Sequence, residues 1–106
     1  MTAPRSTPGS RRVLCADVRT ADLGPDRTLV LGAVGETEVG VWTMEPGTEG
    51  DTEVDEVFVV LAGRGSVAFE DGEVITLGPG VAVRLRAGER TTWTVTETLR
   101  KVYVAG

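Results

Sequence analysis

The sequence predicts an all-β fold, either two packed antiparallel sheets or a small closed barrel, and three observations point there. From Val13 onward the chain falls into short stretches rich in Val, Thr, Leu and aromatic residues, each closed by Gly, Pro or Asp within about ten residues. Tight reversal signals separate several of them: EDGE at 70–73, GPG at 78–80 and AGER at 87–90. About nine such stretches share one short chain, and a single flat sheet of that many strands would leave costly open edges.

The opening MTAPRSTPGSRR has almost nothing apolar to offset the entropy of ordering it, so residues 1–12 are expected to be a flexible tail. Residues 13–106 are expected to form one domain, since 106 residues suffice for a single core and not for two. The first expected strand is RVLCADV (12–18), where the apolar texture begins. TLVLGAV (28–34) and EVGVWTM (38–44) follow, β-branched and closed by glycine or proline. EVFVVLA (56–62) groups Glu56, Phe58 and Val60 on one face and Val57, Val59 and Leu61 on the other, which suits a central strand. GSVAFE (65–70) and EVITL (73–77) flank the EDGE hairpin. VAVRLR (81–86) puts Val81, Val83 and Leu85 inside and Arg84 and Arg86 outside. TTWTVT (91–96) and TLRKVYVA (98–105) complete the set.

Composition removes several function classes. There are 16 Asp and Glu against 11 Lys and Arg, a net charge of −5, and Arg5, Arg11 and Arg12 all lie at the N-terminus. An acidic body repels phosphate backbones, so nucleic acid is not an expected partner. No apolar run is long enough for a membrane span or a secretory core, which gives a cytoplasmic expectation. Cys15 is the only cysteine and there is no histidine, so neither an intramolecular disulfide nor a Cys/His zinc site can be built. Without a base of the usual kind nearby, Cys15 reads as a small buried hydrophobe. No glycine-rich phosphate loop or other cofactor fingerprint is present, and no cofactor is expected.

The order of turns in EVDEVFVVLAGRGSVAFEDGEVITLGPGVAVRLRAGERTTWTV resembles the two linked motifs of the cupin superfamily, over residues 37–106. That resemblance implies an antiparallel double-sheet jelly-roll barrel with a site in its interior. In the first motif, G-x5-H-x-H-x(3,4)-E-x6-G, Gly63 places Glu56 at the family's glutamate ligand, and the histidine pair falls within Glu49, Gly50, Asp51 and Thr52. In the second, Gly80 and Gly88 fit, with Arg86 at the proline, Thr91 at the histidine and Val95 at the asparagine. Three of the four metal-ligand positions therefore carry other residues. GVWTMEPG (40–47) and TETLRKVYVA (96–105) are similar to the small cupins of the ureidoglycine aminohydrolase and ethanolamine-utilisation type. Cupins commonly pair through their sheets, which implies a homodimer, with RVLCADV the segment best placed to cross to the neighbour.

The residues leave more than one chemistry open. If parity holds, Glu56 points inward beside Phe58, Thr91 and Trp93, with Lys101 as its natural cation and Tyr103 two residues further on the same face. Glu56, Lys101 and Tyr103 are the candidate catalytic residues, and Trp42, Phe58, Thr91 and Trp93 the candidate ligand-binding wall. A buried Glu with Lys and Tyr can serve acid and base steps on a small polar or carboxylated metabolite, by hydrolase, isomerase or lyase chemistry without a metal. It can equally be a satisfied structural pair inside a noncatalytic dimeric sensing or scaffolding module, with both tryptophans as ordinary core. A weak carboxylate site is a further alternative: Glu56 with Glu49, Asp51 or Glu53 offers oxygen ligands to magnesium, calcium or manganese. Against it stands the reading of the acids at 45–56 as a solvated loop.

Overall fold

A computed structural model describes residues 12–106, so the expected tail at 1–12 lies, apart from Arg12, outside the described residues. Among them the strands are β1 (Thr28–Val34), β2 (Thr37–Met44), β3 (Gly47–Thr52), β4 (Glu56–Phe69), β5 (Val74–Leu77), β6 (Ala82–Leu85) and β7 (Arg90–Ala105). Every pairing is antiparallel. No helix of the described residues is long and apolar enough to cross a membrane.

Two long strands build the barrel. β4 and β7 pair from Glu56↔Ala105 to Phe69↔Thr91. Towards Glu56 and Ala105 they form one sheet in the order β1-β2-β7-β4-β6, and towards Phe69 and Thr91 a second in the order β3-β7-β4-β5. The sequence divides each long strand in two at Gly63 and Glu97. The structure instead bends them through β-bulges, with register slips at Val60/Ala62, Ala62/Arg64 and Arg64/Gly65. A bend of this kind keeps the ladder continuous while the chain changes sheets. The jelly-roll barrel expected from the sequence is the observed fold.

Slipping the register also changes which residues point inward. Phe58 and Val60 face the core before the bend, and Val67 after it, all at or near complete burial. They pack with Met44, Leu77, Leu85, Trp93, Val95 and Leu99 between the sheets. Along β6, Val83 and Leu85 are buried while Arg84 is exposed, as the alternation of that stretch predicts.

The first expected strand does not form. Residues 12–27 contain turns and bends and no strand, and lie against the barrel's outer face. There Leu23 is buried, and the Arg100 guanidinium donates to the Val18 and Ala21 carbonyls at 3.0 and 2.9 Å. Arg100 and the local turn bonds from Thr20, Ala21 and Arg19 to Asp17 stand where a ladder was expected, so apolar texture alone misassigned the segment. Cys15 within it is half-buried, not enclosed as expected.

A strand also forms where a loop was expected. GTEGDT at 47–52 is exposed throughout, yet it pairs with β7 from Gly47↔Val95 to Thr52↔Arg90. Polar on both faces, it carries no period-two signal, and its partner alone makes it a strand.

Candidate functional site

Alternation along three neighbouring strands brings one set of side chains to the barrel interior. Trp42 on β2 lies opposite Lys101 on β7, and Phe58 on β4 lies opposite Tyr103. The lysine stem runs along this apolar surface, and its Nζ donates to Glu56 Oε2 at 2.6 Å. Both side chains are nearly enclosed, with 7% and 11% exposure. Three rings surround the ammonium, at 4.4 Å from the Phe58 centroid, 4.8 Å from Trp93 and 4.9 Å from Trp42. The negative ring faces and one carboxylate together compensate a cation that burial would otherwise penalise heavily.

Above this floor lies a cavity of about 300 Å³, whose lining includes Arg27, Trp42, Asp51, Glu53, Trp93 and Lys101. Glu56 and Tyr103 also reach it, whereas Phe58 and Thr91, expected on its wall, do not. Phe58 has no exposed surface and sits beneath the lysine. Thr91 lies behind Glu53, to which it donates at 2.6 Å.

Glu53 is the residue whose burial the sequence concealed. It belongs to an acidic stretch that reads as solvated, yet it is 7% exposed, and its Oε2 also accepts from the Trp93 indole at 3.0 Å. Its backbone is pinned to the β6–β7 turn, with N donating to the Glu89 carbonyl at 2.8 Å and O accepting from Gly88 at 2.9 Å. Arg27 is not singled out by the sequence at all, whereas Glu53 figures there only as an alternative metal ligand. Its backbone is left-handed, at φ 64°, and its guanidinium crosses the cavity mouth to Glu49 at 2.7 and 3.1 Å. That bidentate bond holds the Glu49 carboxyl below its ordinary pKa.

Tyr103 donates to Glu38 at 2.7 Å, and Gly40 leaves room for its ring: a Cβ there would lie 2.7 Å from Cε2. Burial chiefly, and then the Glu38 hydrogen bond and the Glu38 and Glu56 charges, raise its phenol well above the ordinary 10.0. The folded chain thus keeps a proton that the unfolded chain releases. This contribution to stability is complete below pH 10 and declines as the pH rises beyond it. Tyr103→Phe is expected to flatten the alkaline fall in urea-unfolding stability, and identical slopes in the two proteins would refute the assignment. Tyr103 is the only tyrosine, so a tyrosinate absorbance titration reads it directly.

The residues do not suit the family's metal. Among the described residues no three acidic or cysteine side chains are gathered to hold an ion, and Glu56 is already committed to Lys101. Chemically, the arrangement offers a fixed ammonium, a carboxylate that can accept or return a proton, and a phenol held neutral.

Among curated protein sequences none matches this chain. The family model described as EutQ-like cupin domain matches residues 31–103. A solved structure of unknown function from Rhizobium leguminosarum bv. viciae 3841 is 29% identical, with TM-score 0.69, and the match covers 99% of this chain and 97% of that one. A DUF861 family protein of Thermotoga maritima is 28% identical, with TM-score 0.59, over 62% of this chain and 76% of its own. The EutQ protein of Clostridium difficile is 22% identical, with TM-score 0.64, over 74% of this chain, and this chain spans only 64% of that protein. With a family model matching well over half its length and the barrel topology in agreement, the chain belongs to the EutQ-like cupin family.

Proposed function

We propose that this barrel binds a small polar metabolite in the cavity above the Glu56–Lys101 pair and needs no metal to do so. One observation carries the reading: a lysine ammonium, enclosed by three rings, is bonded to the glutamate that fills the family's ligand position. The positive charge at this floor belongs to the chain itself. The same pair is suited to acid and base steps on a bound molecule, Glu56 taking a proton and Lys101 supplying one.

The test is a metabolite screen by thermal unfolding on protein dialysed against chelator. A ligand at about 100 times its dissociation constant adds roughly 2.7 kcal/mol to stability, which a melting curve resolves. Stabilisation by a polar metabolite, unchanged by chelator or by added manganese or magnesium, is expected. Stabilisation that requires the added metal would replace this reading with a carboxylate-held ion. Once a turnover is found, Glu56→Gln separates catalysis from binding: activity unchanged in that variant removes the glutamate from the mechanism and leaves a noncatalytic binding module.

Homodimer assembly belongs to the same proposal. The outer face of the β2-β7-β4 sheet carries Val57, Val59 and Val104 at 44%, 36% and 43% exposure, with Val57 directly opposite Val104. Val39 continues the row beyond Val104. A twofold contact would set this valine stripe, which ends at the Arg84–Asp55 pair beyond Val57, against itself, which suits a second copy of the chain. Light scattering is expected to give twice the 11.2 kDa chain mass, falling to one chain mass in Val57→Lys. A monomeric wild type refutes it.

A further inference from the structure

Among the described residues the charges around the cavity do not balance, and the imbalance lies in one place. Arg27 pairs with Glu49 at 2.7 Å and Lys101 with Glu56 at 2.6 Å, so two cations and two carboxylates cancel at the wall. Glu53 and Asp51 remain. Among the described residues no lysine or arginine pairs with either.

Glu53 carries most of the argument. It is 7% exposed, and its two side-chain donors, Thr91 and Trp93, both bond to Oε2. Oε1 has no donor among the described residues, and since no sealed side-chain oxygen among them lacks a partner, it keeps some exposure, on a residue that lines the cavity. Enclosing most of a carboxylate without a cation beside it is costly, and the Thr91 and Trp93 bonds hold the side chain in place on a backbone tied to Glu89 and Gly88. Beside it stand the Trp42 and Trp93 rings, 5.7 Å apart, which already hold Lys101, and at Trp42 also Arg27, so that to a ligand they offer a flat apolar wall for its carbon skeleton. An anionic group, by contrast, finds both lining cations already engaged.

We infer that the cavity recognises its ligand through a protonated nitrogen, of amine, amidine or guanidine type, seated between Glu53 and Asp51 against the indoles. This rests on the cavity being a binding site, as proposed above, and adds the class of molecule it takes. Glu53 and Asp51 are then specificity residues, while Glu56 and Lys101 form the neutral floor.

Three probes matched in size and differing in charge test it: n-butylammonium, butyrate and n-butanol, titrated into the full chain in chelator-treated buffer. Trp42 and Trp93 are the only tryptophans, so intrinsic fluorescence reports the cavity alone. Butylammonium is expected to give a saturable change, weakened by added salt, with affinity about tenfold or more above the other two, the scale of one charge-assisted hydrogen bond. Glu53→Gln should abolish that preference, and Asp51→Asn, on an exposed strand that tolerates it, should reduce it, which keeps the test alive if the first variant folds poorly. Butyrate or butanol binding as tightly as the ammonium, or an unchanged preference in a folded variant, overturns the inference and leaves the cavity a binding site. No saturable response to any probe, together with no stabilising metabolite in the screen, overturns both.

Discussion

Lys101→Met is expected to destabilise the protein by about 3–5 kcal/mol, the scale for removing one partner of a buried ion pair. The methionine fills the stem's place between Trp42, Phe58 and Trp93, so little packing is lost. What remains is a Glu56 carboxylate 11% exposed, 2.6 Å from where its cation stood. Glu56→Gln in the same background should recover most of the loss, because the uncompensated charge disappears with it. Urea unfolding of the two single variants and the double variant closes the cycle. A loss below about 1 kcal/mol for Lys101→Met would mean that the pair behaves as an exposed one, and the site's floor would lose its physical basis.

Gly63→Ala is the second large effect, at about 3 kcal/mol or more. Two costs combine at this position. Its backbone is left-handed, at φ 96°, and a Cβ there would lie 2.6 Å from Leu99 Cα and 2.7 Å from the Thr98 carbonyl carbon. Those are backbone atoms of β7 at the bend where both long strands change sheets, so relief requires parting the pair that joins the barrel's halves. Gly72→Ala is the matched control. It has nearly the same φ, 94°, in the EDGE turn, with nothing within 4 Å of an added Cβ, and should cost only the backbone penalty of about 1 kcal/mol. Chemical denaturation that finds the two variants equal would show that the close approach at Gly63 relaxes freely.

These two positions mark different dependences. Gly63 fixes how the strands cross, and the crossing puts Trp93, from the second sheet, over the lysine held by the first. The aromatic enclosure of Lys101 is therefore only as rigid as the bend. A chain that failed at Gly63 would lose its site before it lost its strands.

Local patterning determined much of this protein. Alternation in 56–60, 81–85 and 99–103 assigned Glu56, Phe58, Lys101 and Tyr103 to the interior, because one buried face forces a period of two whatever the rest of the chain does. Glycine-bounded apolar stretches gave the all-β class, and the spacing from Glu56 to Gly63 gave the family resemblance. Pairing and enclosure belong to the tertiary structure. GTEGDT becomes β3 only because β7 offers it a ladder, and RVLCADV finds no strand partner, ending instead in a turn at Asp17 with its Val18 carbonyl on Arg100. Glu53 looks like any solvated acid in sequence, and its burial follows from where the β6–β7 turn and Trp93 meet it, some 40 residues along the chain. Local sequence dictates which way a side chain points, since that depends on its own backbone. It does not dictate what that side chain will face, because distant segments bring the partners.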